Sequence, residues 1–233
     1  MNILTIIPAR SGSKGLPDKN SKILGNKPLI VYTIEQALKS SLLGKIIVST
    51  DDYSIVEIAK KMGVSLPFLR PKVLSSDTAS SISVVQHAVD FMEKQGEYFD
   101  AVCLLQPTSP FRENGFIDKA ILTFTQKKSD ALVSVLQVPQ QFNPHWVFES
   151  NQNDQLYIAT GDKEIIKRRQ DLPKAFFRDG SIYLTKIEVV KKGSFFGESL
   201  CYIENNPDLY VNIDTLEDWN RAEKILPTIL NQL

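Results

Sequence analysis

Several residue types are scarce in this chain, and each scarcity excludes something. Two cysteines, Cys103 and Cys201, stand in 233 residues, too few for a disulfide scaffold or a thiolate zinc cage. The two histidines, His87 and His145, have no second histidine at metal-binding spacing. Neither sign of charge prevails: 27 Lys+Arg face 27 Asp+Glu, which argues against a general binder of nucleic acid or of a membrane surface. No apolar run approaches the ~18 residues of a membrane span. The Met-Asn start has no basic flank, so no signal peptide is expected and the cytoplasm is the expected compartment. A Gly-x-Ser-x-Gly elbow is missing too, and acyl transfer gains no support.

What is present is an ordinary globular composition, 42% hydrophobic and 23% charged, in a length that suits a single domain. Ile3-Leu4-Thr5-Ile6-Ile7 reads as a strand buried on both faces. A long loop over 10–27 should follow, then a helix over 28–38 with Pro28 in its first turn. Further strands are expected at 45–49, 101–105 and 131–138. Helices are expected at 53–62, at 79–94 with Asp77 and Thr78 as caps, and at 113–127. Alternating strands and helices argue for a parallel sheet with its ligand at the carboxyl ends of the strands. The rhythm breaks from Gln140 onward, where Trp146, Phe148, Leu156 and Tyr157 precede a basic run; this reads as an inserted β-rich arm. The chain should rejoin the sheet at 181–184 and close with a strand at 210–214 and a helix at 216–225.

Five constellations could carry chemistry. In the first, two glycines and two serines accompany Arg10, Lys14 and Lys19 in a loop that follows a buried strand. Such a loop can cradle phosphate with backbone N–H groups and fixed positive charge. It is neither a Walker loop nor a dinucleotide fingerprint. The second is Arg70-Pro71 followed by the hydroxyl-rich Ser76-Asp77-Thr78-Ala79-Ser80-Ser81, suited to a base or ribose and equally to capping a helix. In the third, Gln106-Pro107-Thr108-Ser109-Pro110-Phe111-Arg112, two prolines hold Gln106 and Arg112 in defined positions; a plain rigid turn accounts for the same residues. The fourth is Arg168-Arg169-Gln170 within a basic run, either a carboxylate clamp or a solvated face. The fifth is Asn212-Ile213-Asp214-Thr215, where Asp214 could hold Mg²⁺ against phosphates or cap the last helix.

Taken in order, Pro8-Ala9-Arg10-Ser11-Gly12-Ser13-Lys14-Gly15-Leu16-Pro17-Asp18-Lys19-Asn20, Ser49-Thr50-Asp51, Leu69-Arg70-Pro71, Ser76-Asp77-Thr78-Ala79-Ser80-Ser81, Leu105-Gln106-Pro107-Thr108-Ser109-Pro110, Arg168-Arg169-Gln170-Asp171-Leu172-Pro173 and Ile213-Asp214-Thr215 resemble the acylneuraminate cytidylyltransferases, the CMP-sialic acid synthetase family. The resemblance covers nearly the whole chain. It implies a Rossmann-like α/β fold of the nucleotide-diphospho-sugar transferase type, a mostly parallel sheet with helices on both faces. It also implies a single nucleotidyltransferase domain over 1–233 with a small dimerisation arm at about 140–178, and a homodimer. The implied reaction is attack of the anomeric 2-hydroxyl of a nine-carbon 2-keto sugar acid on the α-phosphate of CTP, with Mg²⁺ and loss of pyrophosphate.

By the same resemblance, Arg10, Lys19 and Asp214 are the catalytic residues, with Asp214 on the metal. Ala9, Arg10, Ser13, Lys14, Lys19, Asn20, Arg70, Ser80 and Ser81 bind nucleotide. Gln106, Thr108, Arg168, Arg169 and Tyr183 bind the sugar acid. One departure stands out: sialic acid synthetases of bacteria carry Asp-Ile-Asp where this chain has Asn212-Ile213-Asp214. An amide cannot take up a proton at neutral pH. This departure, with the unusual segment from Phe142 to Phe148, points toward legionaminate, pseudaminate or another modified nonulosonate. Competing readings are a nucleotidyltransferase for Kdo with CTP, one for an amino-sugar phosphate with GTP, and a non-catalytic nucleotide-sugar binding protein.

Overall fold

The computed structural model describes residues 1–12 and 15–233. In chain order its elements are β1 (Ile3–Ala9), the two-residue strands β2 (Ile23–Leu24) and β3 (Lys27–Pro28), α1 (Leu29–Lys39), β4 (Lys45–Thr50), α2 (Tyr53–Lys61), α3 (Ser81–Lys94), β5 (Ala101–Leu104), α4 (Phe116–Lys127), β6 (Ala131–Gln137), β7 (Phe148–Ser150), β8 (Leu156–Ile158), β9 (Phe176–Lys186), α5 (Ile187–Lys191), β10 (Leu200–Glu204) and α6 (Leu216–Ile229).

Continuous apolar runs make the inner strands, because both faces of the sheet are covered. The six-stranded sheet has the order β10-β6-β9-β5-β1-β4. β1 lies parallel to β4 and β5, and β10 parallel to β6, while β9 runs antiparallel to both its neighbours. The expected mostly parallel Rossmann-like sheet is therefore present, with one reversed strand. On one face Ile3, Ile7 and Val48 pack under Ile30 and Ile34 of α1, Ile55 of α2 and Ile121 and Phe124 of α4. On the other, Leu4, Ile6 and Ile47 meet Val85, Val89 and Met92 of α3 and Val190 of α5. Each such aliphatic side chain removed from water contributes roughly 1.5–3 kcal/mol before entropy is counted. A third apolar cluster seats Trp219, Ala222 and Leu226 of α6 on Leu24, Leu29 and Tyr32.

Four expectations need correction. The loop over 10–27 contains the first strand of a small antiparallel hairpin, with Ile23 opposite Pro28 and Leu24 opposite Lys27. Pro28 precedes α1 as its cap residue instead of sitting in the first turn. α3 begins at Ser81 and is capped by Ser80, whose Oγ accepts from the Ser83 N–H at 3.2 Å, so Asp77 and Thr78 lie upstream of the helix. Residues 210–214 form no sheet strand. They run extended beside the loop after β5, held where the Ile213 N–H donates to the Thr108 carbonyl at 2.8 Å.

The segment from Gln140 onward carries a short antiparallel hairpin outside the main sheet. This β7–β8 hairpin pairs Phe148 with Ile158. The Trp146 indole donates to the Ile166 carbonyl at 2.6 Å, and the Asn143 amide donates to the Pro173 carbonyl at 3.0 Å. The main sheet resumes at Phe176, so the last three residues of the 140–178 segment belong to β9.

Candidate active site

The carboxyl ends of β1 and β5 open on one cleft of about 600 Å³. Its walls come from segments far apart in the chain. Pro8, Arg10, Gly15, Lys19 and Asn20 supply one side. Arg70, Ser76, Asp77 and Ser81 supply another, Gln106, Pro107 and Thr108 the floor, and Asn212 and Asp214 the rim.

The loop after β1 is tied down at both ends. At its start the Ser11 N–H and Oγ donate to the two oxygens of Asp51 at 2.9 and 2.7 Å. Burial raises the Asp51 carboxyl, but the Ser11 hydrogen bonds outweigh it and leave the pKa below its ordinary value. Near its end Lys19, only 7% exposed, donates to the Ile213 carbonyl at 2.5 Å and pairs with Asp214 Oδ1 at 3.0 Å. Between these ties Gly15 passes so close to the rim that a Cβ there would stand 2.2 Å from the Asp214 carbonyl oxygen. Gly15→Ala must therefore push the loop away from Asp214. The expected result is a loss of turnover of about 100-fold, the scale on which a misplacement of roughly 1 Å acts; a rate within fivefold of wild type would show that the loop can move aside without cost.

Among the described residues three cations, Arg10, Lys19 and Arg70, face the cleft. Arg10 pairs with Asp77 at 2.7 Å and reaches the Ser75 carbonyl at 3.4 Å. Arg70, 4% exposed, donates from Nε to Ser49 Oγ at 3.0 Å and from Nη2 to the Ser49 carbonyl. Burial lowers the Arg70 pKa to about 10, against the favourable charge of Asp51. The guanidinium stays protonated at neutral pH. At the rim both oxygens of Asp214 already accept hydrogen bonds, Oδ1 from Lys19 and Oδ2 from the Asn212 amide at 2.7 Å. Its side chain is nevertheless 60% exposed. The capping of α6 falls to Thr215 and Asp218, which exchange hydrogen bonds as a capping box. Asp214 is thus free of the capping role that its position in sequence allowed.

Of the residues expected at the site, Arg10, Lys19, Asn20, Arg70, Ser81, Gln106, Thr108 and Asp214 come together here. Ser13 and Lys14 lie outside the described residues. Ala9 is the buried last residue of β1, and Ser80 serves as the α3 cap. Tyr183 is packed in the core against Phe195, ring centroids 5.7 Å apart, and does not line the cleft. Arg168 and Arg169 sit on the exposed arm, where Arg168 makes a two-pronged pair with Asp171 at 2.7 and 3.1 Å. Asp77, read from the sequence as a helix cap, turns out to be the partner of Arg10.

A loop that can cradle phosphate, buried cations and an exposed carboxylate thus meet at the strand ends of an α/β sheet. The family model described as cytidylyltransferase matches residues 4–225. The chain belongs to the cytidylyltransferase family. It is 36% identical over 224 residues to the pseudaminic acid cytidylyltransferase of Campylobacter jejuni subsp. jejuni, covering 96% of this chain and 95% of that protein. It is also 36% identical over 236 residues to the CMP-N,N'-diacetyllegionaminic acid synthase of Legionella pneumophila, covering 100% of this chain and 98% of that protein. The fold matches that of a CMP:2-keto-3-deoxy-manno-octonic acid synthetase solved with CTP, at a TM-score of 0.72 and 16% identity over 98% of this chain and 99% of that one. A cytidylyltransferase cleft has to hold a triphosphate, a base and a second substrate at once, and the cations, hydroxyls and amides of this cleft are of the kinds that such a task requires.

Proposed function

We propose that this cytidylyltransferase couples CTP to a nine-carbon 2-keto sugar acid of the nonulosonate class, releasing pyrophosphate. The observation that carries the reading is the single cleft in which Arg10, Lys19 and Arg70 face Gln106 and Asp214. Relatives named for pseudaminic and legionaminic acids support the sugar class.

In the reaction the oxygen of the anomeric 2-hydroxyl attacks the α-phosphorus of CTP. The bond from that phosphorus to the oxygen bridging toward the β-phosphate breaks, pyrophosphate leaves with the electron pair, and the hydroxyl proton passes to solvent. Transfer of this kind depends on positioning and charge neutralisation more than on covalent help. Arg10 and Lys19 offset the charge that develops on the departing pyrophosphate, with Lys14 and Ser13 in the same loop. Asn20, Arg70, Ser80 and Ser81 take the ribose and cytosine, with the backbone at Ala9 beneath. Gln106 and Thr108 hold the sugar acid, and Tyr183 supports that side from the core.

Mg²⁺ suits the residues present. It prefers one or two carboxylates combined with substrate phosphates over a cage made wholly of protein. No cluster of three metal-binding side chains occurs among the described residues. Asp214 is exposed, and each of its oxygens keeps a lone pair beyond the bonds from Lys19 and Asn212. Asp214 would hold the ion, which when bound neutralises phosphate charge. Asp214→Asn is expected to raise the Mg²⁺ concentration for half-maximal rate about tenfold; an unchanged metal titration would leave Asp214 only as the partner of Lys19.

The reading extends to the whole chain as one nucleotidyltransferase domain, working in the cytoplasm as a homodimer. Exposed Phe142, Phe148, Leu156 and Tyr157 on the arm favour burial against a second copy. Arg168 and Arg169 would then approach the sugar carboxylate in the neighbouring subunit. The deciding experiment measures pyrophosphate release with Mg²⁺ and CTP, GTP, UTP or ATP. Each nucleotide is set against sialic, legionaminic, pseudaminic and Kdo acids and an amino-sugar 1-phosphate. Turnover confined to CTP with a nine-carbon acid is expected; silence with every such pair would overturn the proposal.

A further inference from the structure

Arg112 never reaches the cleft, yet its guanidinium lies directly behind it. The side chain is 0% exposed, the bulkiest of the fully buried side chains. Its donors are shared among three elements. Nε and Nη2 donate to the Ser181 carbonyl of β9 at 3.1 and 2.8 Å, Nη1 to Thr33 Oγ1 of α1 at 3.1 Å, and Nη2 also to the carbonyl of Gln106 itself at 3.0 Å. Burial lowers its pKa to about 10, opposed by the field of Asp179, so it stays cationic. A second contact bounds the Gln106 side chain from below. Gly180 of β9 has φ of +82°, and a Cβ there would come within 3.4 Å of Gln106 Oε1 and 2.8 Å of Ser109 Oγ. Ser109 Oγ in turn donates to the Asp179 carbonyl at 3.0 Å. The loop after β5 is thus bolted to β9 at the carbonyls on both sides of Gly180, Asp179 and Ser181.

We infer that Arg112 is a positioning residue for Gln106: its planar fork fixes the Gln106 main chain against β9, so that the Gln106 amide lies over the space left by Gly180 and meets the second substrate in one orientation. This rests on the reading of Gln106 as a holder of the sugar acid. Lysine cannot replace the fork, because an ammonium is a point donor on a flexible stem.

The test is steady-state pyrophosphate release with Mg²⁺, CTP and whichever of sialic, legionaminic, pseudaminic and Kdo acids the wild type turns over fastest. Arg112→Lys is expected to raise KM for the acid about tenfold while KM for CTP stays within about twofold. Thr33→Val, remote from the cleft, removes one acceptor of the same guanidinium and is expected to raise KM for the acid about threefold; it decides the matter if Arg112→Lys does not fold. In a Gln106→Ala background neither substitution should add to the KM for the acid, since no amide remains to be placed. Equal rises in both KM values, an unchanged KM for the acid, or effects that persist in the Gln106→Ala background would overturn the positioning role. An unmoved KM in Gln106→Ala alone would instead overturn the assignment of Gln106 on which the inference rests.

Discussion

Lys19→Met is expected to lower turnover about 10³-fold while the chain stays folded. The ammonium is nearly buried, yet it faces the cleft and joins the loop after β1 to the rim by two bonds, to Ile213 and Asp214. Methionine keeps the unbranched apolar stem and removes the ammonium with its charge and donors. A fixed donor aimed at developing negative charge in a site shielded from water is worth roughly 10²–10³ in rate when it is deleted. Here the deletion also releases Asp214 from one of its two donors, which places the effect at the upper end. The folding penalty is smaller. The Ile213 carbonyl loses its ammonium donor at about 1–3 kcal/mol, whereas the exposed Asp214 carboxylate returns to water. The measurement is kcat at saturating CTP alongside a thermal unfolding curve. A rate within tenfold of wild type would remove Lys19 from the catalytic set, and loss of the folded state would show that its part is to staple the rim.

That Lys19 and Asp214 meet could not be read from the sequence. They stand 195 residues apart, and only the return of the chain past the loop after β5 brings them together. The inner strands were legible for the opposite reason. Burial on both faces forces continuous apolar runs, and Ile3–Ala9, Lys45–Thr50 and Ala101–Leu104 carry them. The edge strand Leu200–Glu204 was missed because Leu200, Tyr202 and Glu204 are exposed there, so its apolar content reads as ordinary surface. The first half of Phe176–Lys186 was missed because Arg178, Asp179 and Gly180 interrupt the pattern. Asp179 is tolerated inside the sheet only because Ser134, Asn205 and the Ser181 N–H satisfy its carboxylate, while Arg178 stays exposed.

The opposite error arose at 210–214. Val211 and Ile213 are buried and alternate with more exposed neighbours, as in a strand, but the segment packs beneath α6 without strand partners. Alternation reports burial of one face and says nothing about who supplies the hydrogen bonds. Arg112 shows the same limit for a side chain. The two prolines near it do mark a rigid turn, as the sequence allowed. Its guanidinium, however, points into the protein and not toward a ligand.

The network around Asp179 sets the largest expected change in stability. Asp179 is 1% exposed and accepts from Ser134 Oγ, from the Asn205 amide and from the Ser181 N–H at 3.1 Å. It also lies close enough to Arg112 for its charge to favour the guanidinium. Asp179→Ala removes the common acceptor of three buried donors and leaves a buried cation with less compensation. Breaking such an arrangement from one side costs about 3–5 kcal/mol. For a chain of this size each kcal/mol corresponds to roughly 2–4 °C, so a fall in Tm of about 10 °C is expected. Asp179→Asn keeps one carbonyl oxygen and the side-chain shape, and should cost about half as much. The order alanine below asparagine below wild type, read by thermal unfolding, is the expected result. A Tm for Asp179→Ala within about 2 °C of wild type would mean that water replaces the carboxylate and that the strip under Gln106 is not held by this network. The same series also bears on catalysis, because Ser109 donates its hydrogen bond to the Asp179 main-chain carbonyl and not to the carboxylate. In the fraction that stays folded, KM for CTP should therefore remain near wild type even where Tm has fallen furthest.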